Sequence, residues 1–180
     1  YGENNILIGI ESGSNNKNTE SKNNIFIGKL SGKENTNGQN NIFLGTNSGK
    51  VNLYGSDSIF LGNNSGMNNT LGSKNLFLGI NSGISNSSGE NNIFIGFNSG
   101  YSNTTSISNT FIGNYSGYNN QEQNNIFIGE YSGYENVSGN KNIYLGNLSG
   151  KTNINGSENL FLGYKTGENC LGSYNTFLGT

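Results

Sequence analysis

Serine is the most regularly spaced residue in this chain that could do chemistry, and each serine of the series is followed by glycine. A serine nucleophile needs a base, usually histidine oriented by aspartate. The chain has no histidine, and Asp57 is its only aspartate. The pattern therefore predicts a repeated structural corner rather than a nucleophile, because glycine there suggests a positive φ or a close backbone approach. The series is Ser12, Ser31, Ser48, Ser65, Ser82, Ser99, Ser116, Ser132 and Ser149, with Thr166 last.

Other chemical motifs are weak. The segment 45–50 resembles a phosphate-binding loop, but it has three residues between its glycines instead of four, and Val51 follows its lysine. Calcium-binding solenoids need aspartate in each turn, and glycoside hydrolysis needs two converging acids. The glutamates of this chain are scattered. Cys170 is the only cysteine, which excludes an intrachain disulfide and a cysteine-based zinc cluster. We expect no enzymatic activity, cofactor or metal.

Tyrosines are the remaining candidates for binding. Tyr101, Tyr118 and Tyr134 share one column of the repeat described below, with Tyr115 and Tyr131 nearby. Stacked aromatic residues on a rod could dock a sugar or a partner, but the pattern favours a plain packing ladder.

Composition limits the partners. The formal net charge is −2, so no basic field exists to hold nucleic acid or an anionic membrane surface. The longest apolar runs are three or four residues, far below the about 18–20 that span a bilayer, so we expect no membrane insertion.

One phrase, Asn-Asn-Ile-Phe-Ile-Gly-x-x-Ser-Gly, returns along the whole chain and fixes its organisation. The glycines after the apolar triplets are spaced by 19 residues, then by 17 five times, and then by 16, 17, 17 and 16. These glycines are Gly9, Gly28, Gly45, Gly62, Gly79, Gly96, Gly113, Gly129, Gly146, Gly163 and Gly179.

Each triplet predicts a short strand, because it is β-branched and aromatic and is bounded by glycine, asparagine and serine. One strand with its turns cannot offset the entropy of ordering 17 residues, so neighbouring units must stack. The sequence predicts an all-β, single-chain β-solenoid (a β-roll or β-helix) of about ten 17-residue coils, spanning 1–180 as one domain and forming part of a longer array. Its aromatic ladder is Phe26, Phe43, Phe60, Phe77, Phe94, Phe111, Phe127, Tyr144, Phe161 and Phe177.

Asparagine recurs just before the triplet, as at Asn41, and again in mid-turn, as at Asn52. Stacked in register, these side chains predict amide ladders that satisfy one another and the turn backbone. Changes in repeat length fall between the Ser-Gly corner and the next strand.

Both faces of each strand are apolar, since the two aliphatic residues of a triplet point one way and its aromatic residue the other. One face can line the coil. The other must be covered by a second layer within the coil or by a neighbouring subunit, and we expect a subunit, because an exposed apolar stripe would be an aggregation liability.

Units such as 108–117 and 174–179 resemble the left-handed β-roll heads of trimeric autotransporter adhesins, and related Gly/Asn-rich repeats of bacterial surface or phage-tail-like proteins. The resemblance covers the whole chain. It implies an extracellular, cell-surface or virion fibre that projects, adheres or assembles, and it supplies no catalytic residues.

The function expected from the sequence is structural: a repeat rod that self-associates into an extracellular fibre, filament or stalk. The alternative is an adhesin or tail-fibre module that binds glycans through the tyrosine columns. Ice binding is less well supported, because the mid-turn column after asparagine is too irregular for a matched lattice.

Overall fold

A computed structural model describes residues 2–179 as a single parallel β-sheet wound into a solenoid. Each of its eleven strands hydrogen-bonds to the strands before and after it in the sequence, so ten coils separate the first strand from the last. The strands are β1 (Ile6–Ile8), β2 (Ile25–Ile27), β3 (Ile42–Leu44), β4 (Ile59–Leu61), β5 (Leu76–Leu78), β6 (Ile93–Ile95), β7 (Thr110–Ile112), β8 (Ile126–Ile128), β9 (Ile143–Leu145), β10 (Leu160–Leu162) and β11 (Thr176–Leu178). We number each coil by the strand that begins it. The predicted solenoid is confirmed.

The aromatic residue of each strand points into the coil. The rings of Phe26 through Phe161 are fully buried and stack with centroid separations such as 4.7 Å between Phe43 and Phe60. This spacing equals the distance between hydrogen-bonded strands and suits stacked aromatic rings. At the last coil, Phe177 stacks on Phe161 at 5.0 Å but is 41% exposed. The predicted ladder is therefore confirmed along its whole length.

The Ser-Gly corner is explained by the ring that it covers. Gly49 has φ 54°, and a Cβ there would lie 2.5 Å from the ring of Phe43, so only glycine fits. The hydroxyl of Ser48 is buried and donates to the carbonyl oxygen of Phe60 at 2.9 Å, in the next coil. The serine column therefore links successive coils.

Asparagine completes the interior. The side-chain nitrogen of Asn52 donates to Asn35 Oδ1 at 2.7 Å and to the carbonyl oxygen of Gly55 at 2.9 Å. The side-chain nitrogen of Asn41 donates to the same carbonyl at 2.8 Å, and the Asn41 backbone N–H donates to Asn24 Oδ1 at 3.0 Å. The interior thus consists of one aromatic column surrounded by polar ladders whose hydrogen bonds run mostly between coils.

Two outward columns also hold the coil shape, and the sequence did not reveal their role. One is the residue two positions after the triplet glycine, such as Asn47 at φ 58°. The other is the residue two positions before the strand, such as Asn40 at φ 56°. Asparagine tolerates this left-handed conformation better than other residues with side chains, which explains part of its abundance.

Candidate functional site

The outward side chains of the strands form a long apolar surface that we call the strand face, defined as the first and third residues of β1–β11. All of these residues are isoleucine or leucine except Thr110 and Thr176, so the face carries no charge. Many are substantially exposed, including Leu78 at 40% and Ile93 at 38%. Eleven strands make the face about 50 Å long, and its two columns lie about 7 Å apart.

Nothing in residues 2–179 covers the strand face. The rest of each coil forms the Ser-Gly corner and the asparagine turns, so no second strand layer packs over it. The sequence left two ways to cover this apolar face, and a second layer within the coil is excluded for this part of the chain. A neighbouring subunit stays a prediction.

The five tyrosines singled out in the sequence come together on coils 6–8, and we call them the tyrosine cluster: Tyr101, Tyr115, Tyr118, Tyr131 and Tyr134. One column stacks Tyr101 on Tyr118 at 4.8 Å and Tyr118 on Tyr134 at 5.1 Å. The other stacks Tyr115 on Tyr131 at 4.9 Å with an interplanar angle of 3°. The columns touch each other, since the Tyr131 and Tyr134 rings are 5.4 Å apart.

Corner geometry brings the two columns together. Tyr115 and Tyr131 have φ of 57° and 56°, and the Ser-Gly corner follows each of them. The chain therefore turns sharply, and the ring of Tyr115 lies 5.9 Å from that of Tyr118, three residues on. The column of Tyr115 and Tyr131 has two further neighbours that the sequence did not indicate. The Phe97 ring lies edge-on to Tyr115 at 5.3 Å, and Lys151 Nζ lies 5.8 Å from the centre of the Tyr131 ring.

Two phenols of the cluster have a raised pKa, which keeps them neutral at neutral pH. Burial raises the pKa of Tyr118 and of Tyr131 above the ordinary tyrosine value, and the neighbouring tyrosines raise each pKa further. Within the stacks most ring faces lie against another tyrosine, which leaves mainly ring edges for a ligand. Tyr118, for example, has no free ring face on which a sugar could stack, because Tyr101 covers one face and Tyr134 covers the other. Glycan binding by the cluster stays a prediction.

The same coils contain a defect in the mid-turn asparagine ladder. Asn86 donates to Asn69 in the preceding coil, whereas Asn120 donates to Asn136 in the following one. Asn103 lies where the direction reverses; it is fully buried, and neither its side-chain nitrogen nor its oxygen has a partner. Coil 7 is one residue shorter than coil 6, and the residue is missing from the turn that follows Asn120.

The shortened turn of coil 7 also opens a polar notch of about 310 Å³, lined by Thr105, Ser106, Gln121, Glu122 and Gln123. Part of its lining is paired within the chain, as where Thr104 Oγ1 donates to Gln121 Oε1 at 3.0 Å. Coil 10 is shortened by one residue as well. In that coil Cys170 occupies the position of the mid-turn asparagine and packs against the aromatic ladder.

The other residues considered as candidates for a chemical function lie in structural positions. The segment 45–50 is an ordinary coil corner, with Gly49 packed on Phe43 and Ser48 bonded to a carbonyl. Between residues 2 and 179, no three acidic or cysteine side chains are grouped so that they could hold a metal ion. The same residues contain no helix, and so none long and apolar enough to cross a membrane.

Comparison of the chain with protein-family models, with curated proteins and with solved structures gave no match.

Proposed function

We propose that this protein is a structural repeat rod that self-associates laterally through its strand face to form a fibre, filament or stalk. The single observation that carries the proposal is the uncharged double column of isoleucine and leucine that nothing in residues 2–179 covers. Exposed apolar patches of this length are rare on proteins that remain monomeric.

A second copy of the chain fits this face in both shape and area. A stripe about 50 Å long and about 10 Å wide presents roughly 500 Å² per copy, so a face-to-face pair buries roughly 1,000 Å², which is the lower limit for a specific interface. Both partners would offer side chains at the same spacing of about 4.8 Å, so the columns of one copy can lie between those of the other.

The proposed setting is extracellular, on a cell surface or in a virion fibre, and it rests on the resemblance to adhesin heads and tail-like repeats alone. The alternative of glycan recognition through the tyrosines is less favoured, because the rings stack on one another.

Self-association is tested by sedimentation and electron microscopy of the purified chain from about 1 µM to about 1 mM. We expect assemblies that grow with concentration. The variant Ile93→Lys/Ile143→Lys should remain monomeric, because it places two charges on the strand face. The matched control Ile107→Lys/Ile154→Lys changes side chains that are equally exposed, at 39% and 41%, but lie outside the strands.

The control should assemble like the wild type. A wild-type chain that stays monomeric over the whole range would refute the proposal. Equal loss of assembly in both variants would refute the strand face as the interface.

A further inference from the structure

The tyrosine cluster has a geometry that no packing role requires. The aromatic ladder already fills the interior of coils 6–8, so the tyrosines are not needed to fill the core. Five phenol rings nevertheless gather on the outside of coils 6–8, next to the point where the asparagine ladder reverses direction at Asn103. Each ring lies within stacking distance of a tyrosine from a neighbouring coil.

We propose that the tyrosine cluster is a site of oxidative cross-linking, in which dityrosine bonds join neighbouring coils among coils 6, 7 and 8. The partners are Tyr115 with Tyr131, and Tyr118 with either Tyr101 or Tyr134. The co-reactant is a one-electron oxidant of the haem peroxidase class, supplied with hydrogen peroxide. The inference does not depend on self-association, since the bonds form within one chain.

Each of two tyrosines gives one electron to the oxidant and loses its phenolic proton, which leaves two neutral phenoxyl radicals. The radicals couple through the ring carbons ortho to oxygen, and one new C–C bond forms. Each of these carbons then loses its hydrogen as a proton, and each oxygen takes up a proton, which restores two phenols. Two electrons and two protons are removed in total, and they reduce one hydrogen peroxide to two water molecules.

Structure favours these pairs over the other tyrosines. The ring centroids of Tyr115 and Tyr131 are 4.9 Å apart and the rings are nearly parallel, so the two ring faces lie against each other. Both columns hold their rings against one another before oxidation, and coupling therefore needs no diffusion. Tyr54 and Tyr164 are more accessible, at 55% and 53% exposed, but neither stacks on another tyrosine.

Cross-linking would strengthen the solenoid at a break in its asparagine ladder. A bond between Tyr101 and Tyr118 spans the boundary between coils 6 and 7, where the Asn103 amide lacks partners. In an array whose coils are held only by their neighbours, one covalent link across a broken ladder stops the two halves from separating there.

The test treats the folded chain at about 1 µM with a haem peroxidase and hydrogen peroxide, so that bonds within a chain outpace bonds between chains. We expect monomers that lack two hydrogen atoms per bond and show dityrosine fluorescence. Cleavage after glutamate separates residues 91–122 from residues 131–135. A bond from coil 7 to coil 8 should join these two peptides, whereas a bond between Tyr101 and Tyr118 should leave residues 91–122 as one peptide that lacks two hydrogen atoms.

Variants distinguish geometry from exposure. Tyr115→Phe/Tyr118→Phe should lose at least four-fifths of the dityrosine fluorescence in monomers, because every neighbouring-coil pair contains one of these residues. The control Tyr54→Phe/Tyr164→Phe removes two exposed tyrosines and should retain full fluorescence. Bonds that mainly involve Tyr54 or Tyr164, or an equal yield from the chain unfolded in denaturant, would overturn the proposal. Treated monomers that lose no hydrogen atoms would also overturn the proposal.

Discussion

Replacing Phe77 by alanine removes one ring from the middle of the aromatic ladder. Phe77 is fully buried and stacks on Phe60 at 4.8 Å and on Phe94 at 4.9 Å. Truncation of a buried phenylalanine costs about 3–5 kcal/mol, and the loss of two stacked neighbours places this site toward the upper end of that range. We therefore expect Phe77→Ala to lower the free energy of unfolding by about 4–5 kcal/mol.

The adjacent Leu78 provides a matched control on the opposite face of the same strand. It is 40% exposed in the single chain, so Leu78→Ala should cost only about 1 kcal/mol. Urea unfolding followed by circular dichroism measures both values, at chain concentrations low enough to keep the protein monomeric.

Hydrogen exchange then shows which coils are destabilised by Phe77→Ala. Because each coil contacts only its neighbours, the protection lost in Phe77→Ala should be concentrated in coils 4–6, and coils 9 and 10 should keep theirs. Equal costs for the two variants, or a cost below about 1 kcal/mol for Phe77→Ala, would show that the aromatic column does not hold the solenoid together.

Three further predictions concern polar groups. The hydroxyl of Tyr144 is buried without a hydrogen-bond partner among the described residues, so Tyr144→Phe should raise the free energy of unfolding by about 1 kcal/mol in the same assay. Asn69→Ala should lower the free energy of unfolding by about 2 kcal/mol, because the Asn69 amide donates to Asn52 and to a backbone carbonyl. Asn103→Ala should lower it by less than about 0.5 kcal/mol, because the Asn103 amide has no partner. Similar losses in the two variants would contradict the ladder defect. Since the pKa of Tyr118 is raised in the folded state, the stability that it contributes is present below the ordinary tyrosine pKa of about 10 and is lost as pH rises further. Ultraviolet titration should show late ionisation in the folded chain that disappears in denaturant.

Most of the fold could be predicted from the sequence because a solenoid is nearly one-dimensional. A period of 17 residues sets the coil, the triplets set the strands, and the alignment of Phe43, Phe60 and Phe77 sets the register. A register slip would also have moved the Ser-Gly corner off the ring that it covers, so local and long-range preferences agree.

The candidate sites were less accessible to sequence reasoning. The tyrosine columns follow from the period, but the contact between Tyr115 and Tyr118 depends on a left-handed residue at the corner. The unpaired amide of Asn103 depends on which way each asparagine donates, and no spacing pattern encodes that direction.

The sequence by itself determined the repeat, the parallel pairing and the residues that share a column. Only the tertiary structure decided which side of the strand faces inward, because both sides are apolar and alternation alone treats them alike. The coil is narrow enough that one aromatic ring per strand fills it, and the Ser-Gly corner closes over that ring. The two aliphatic residues are therefore left outside, and the strand face exists for that reason.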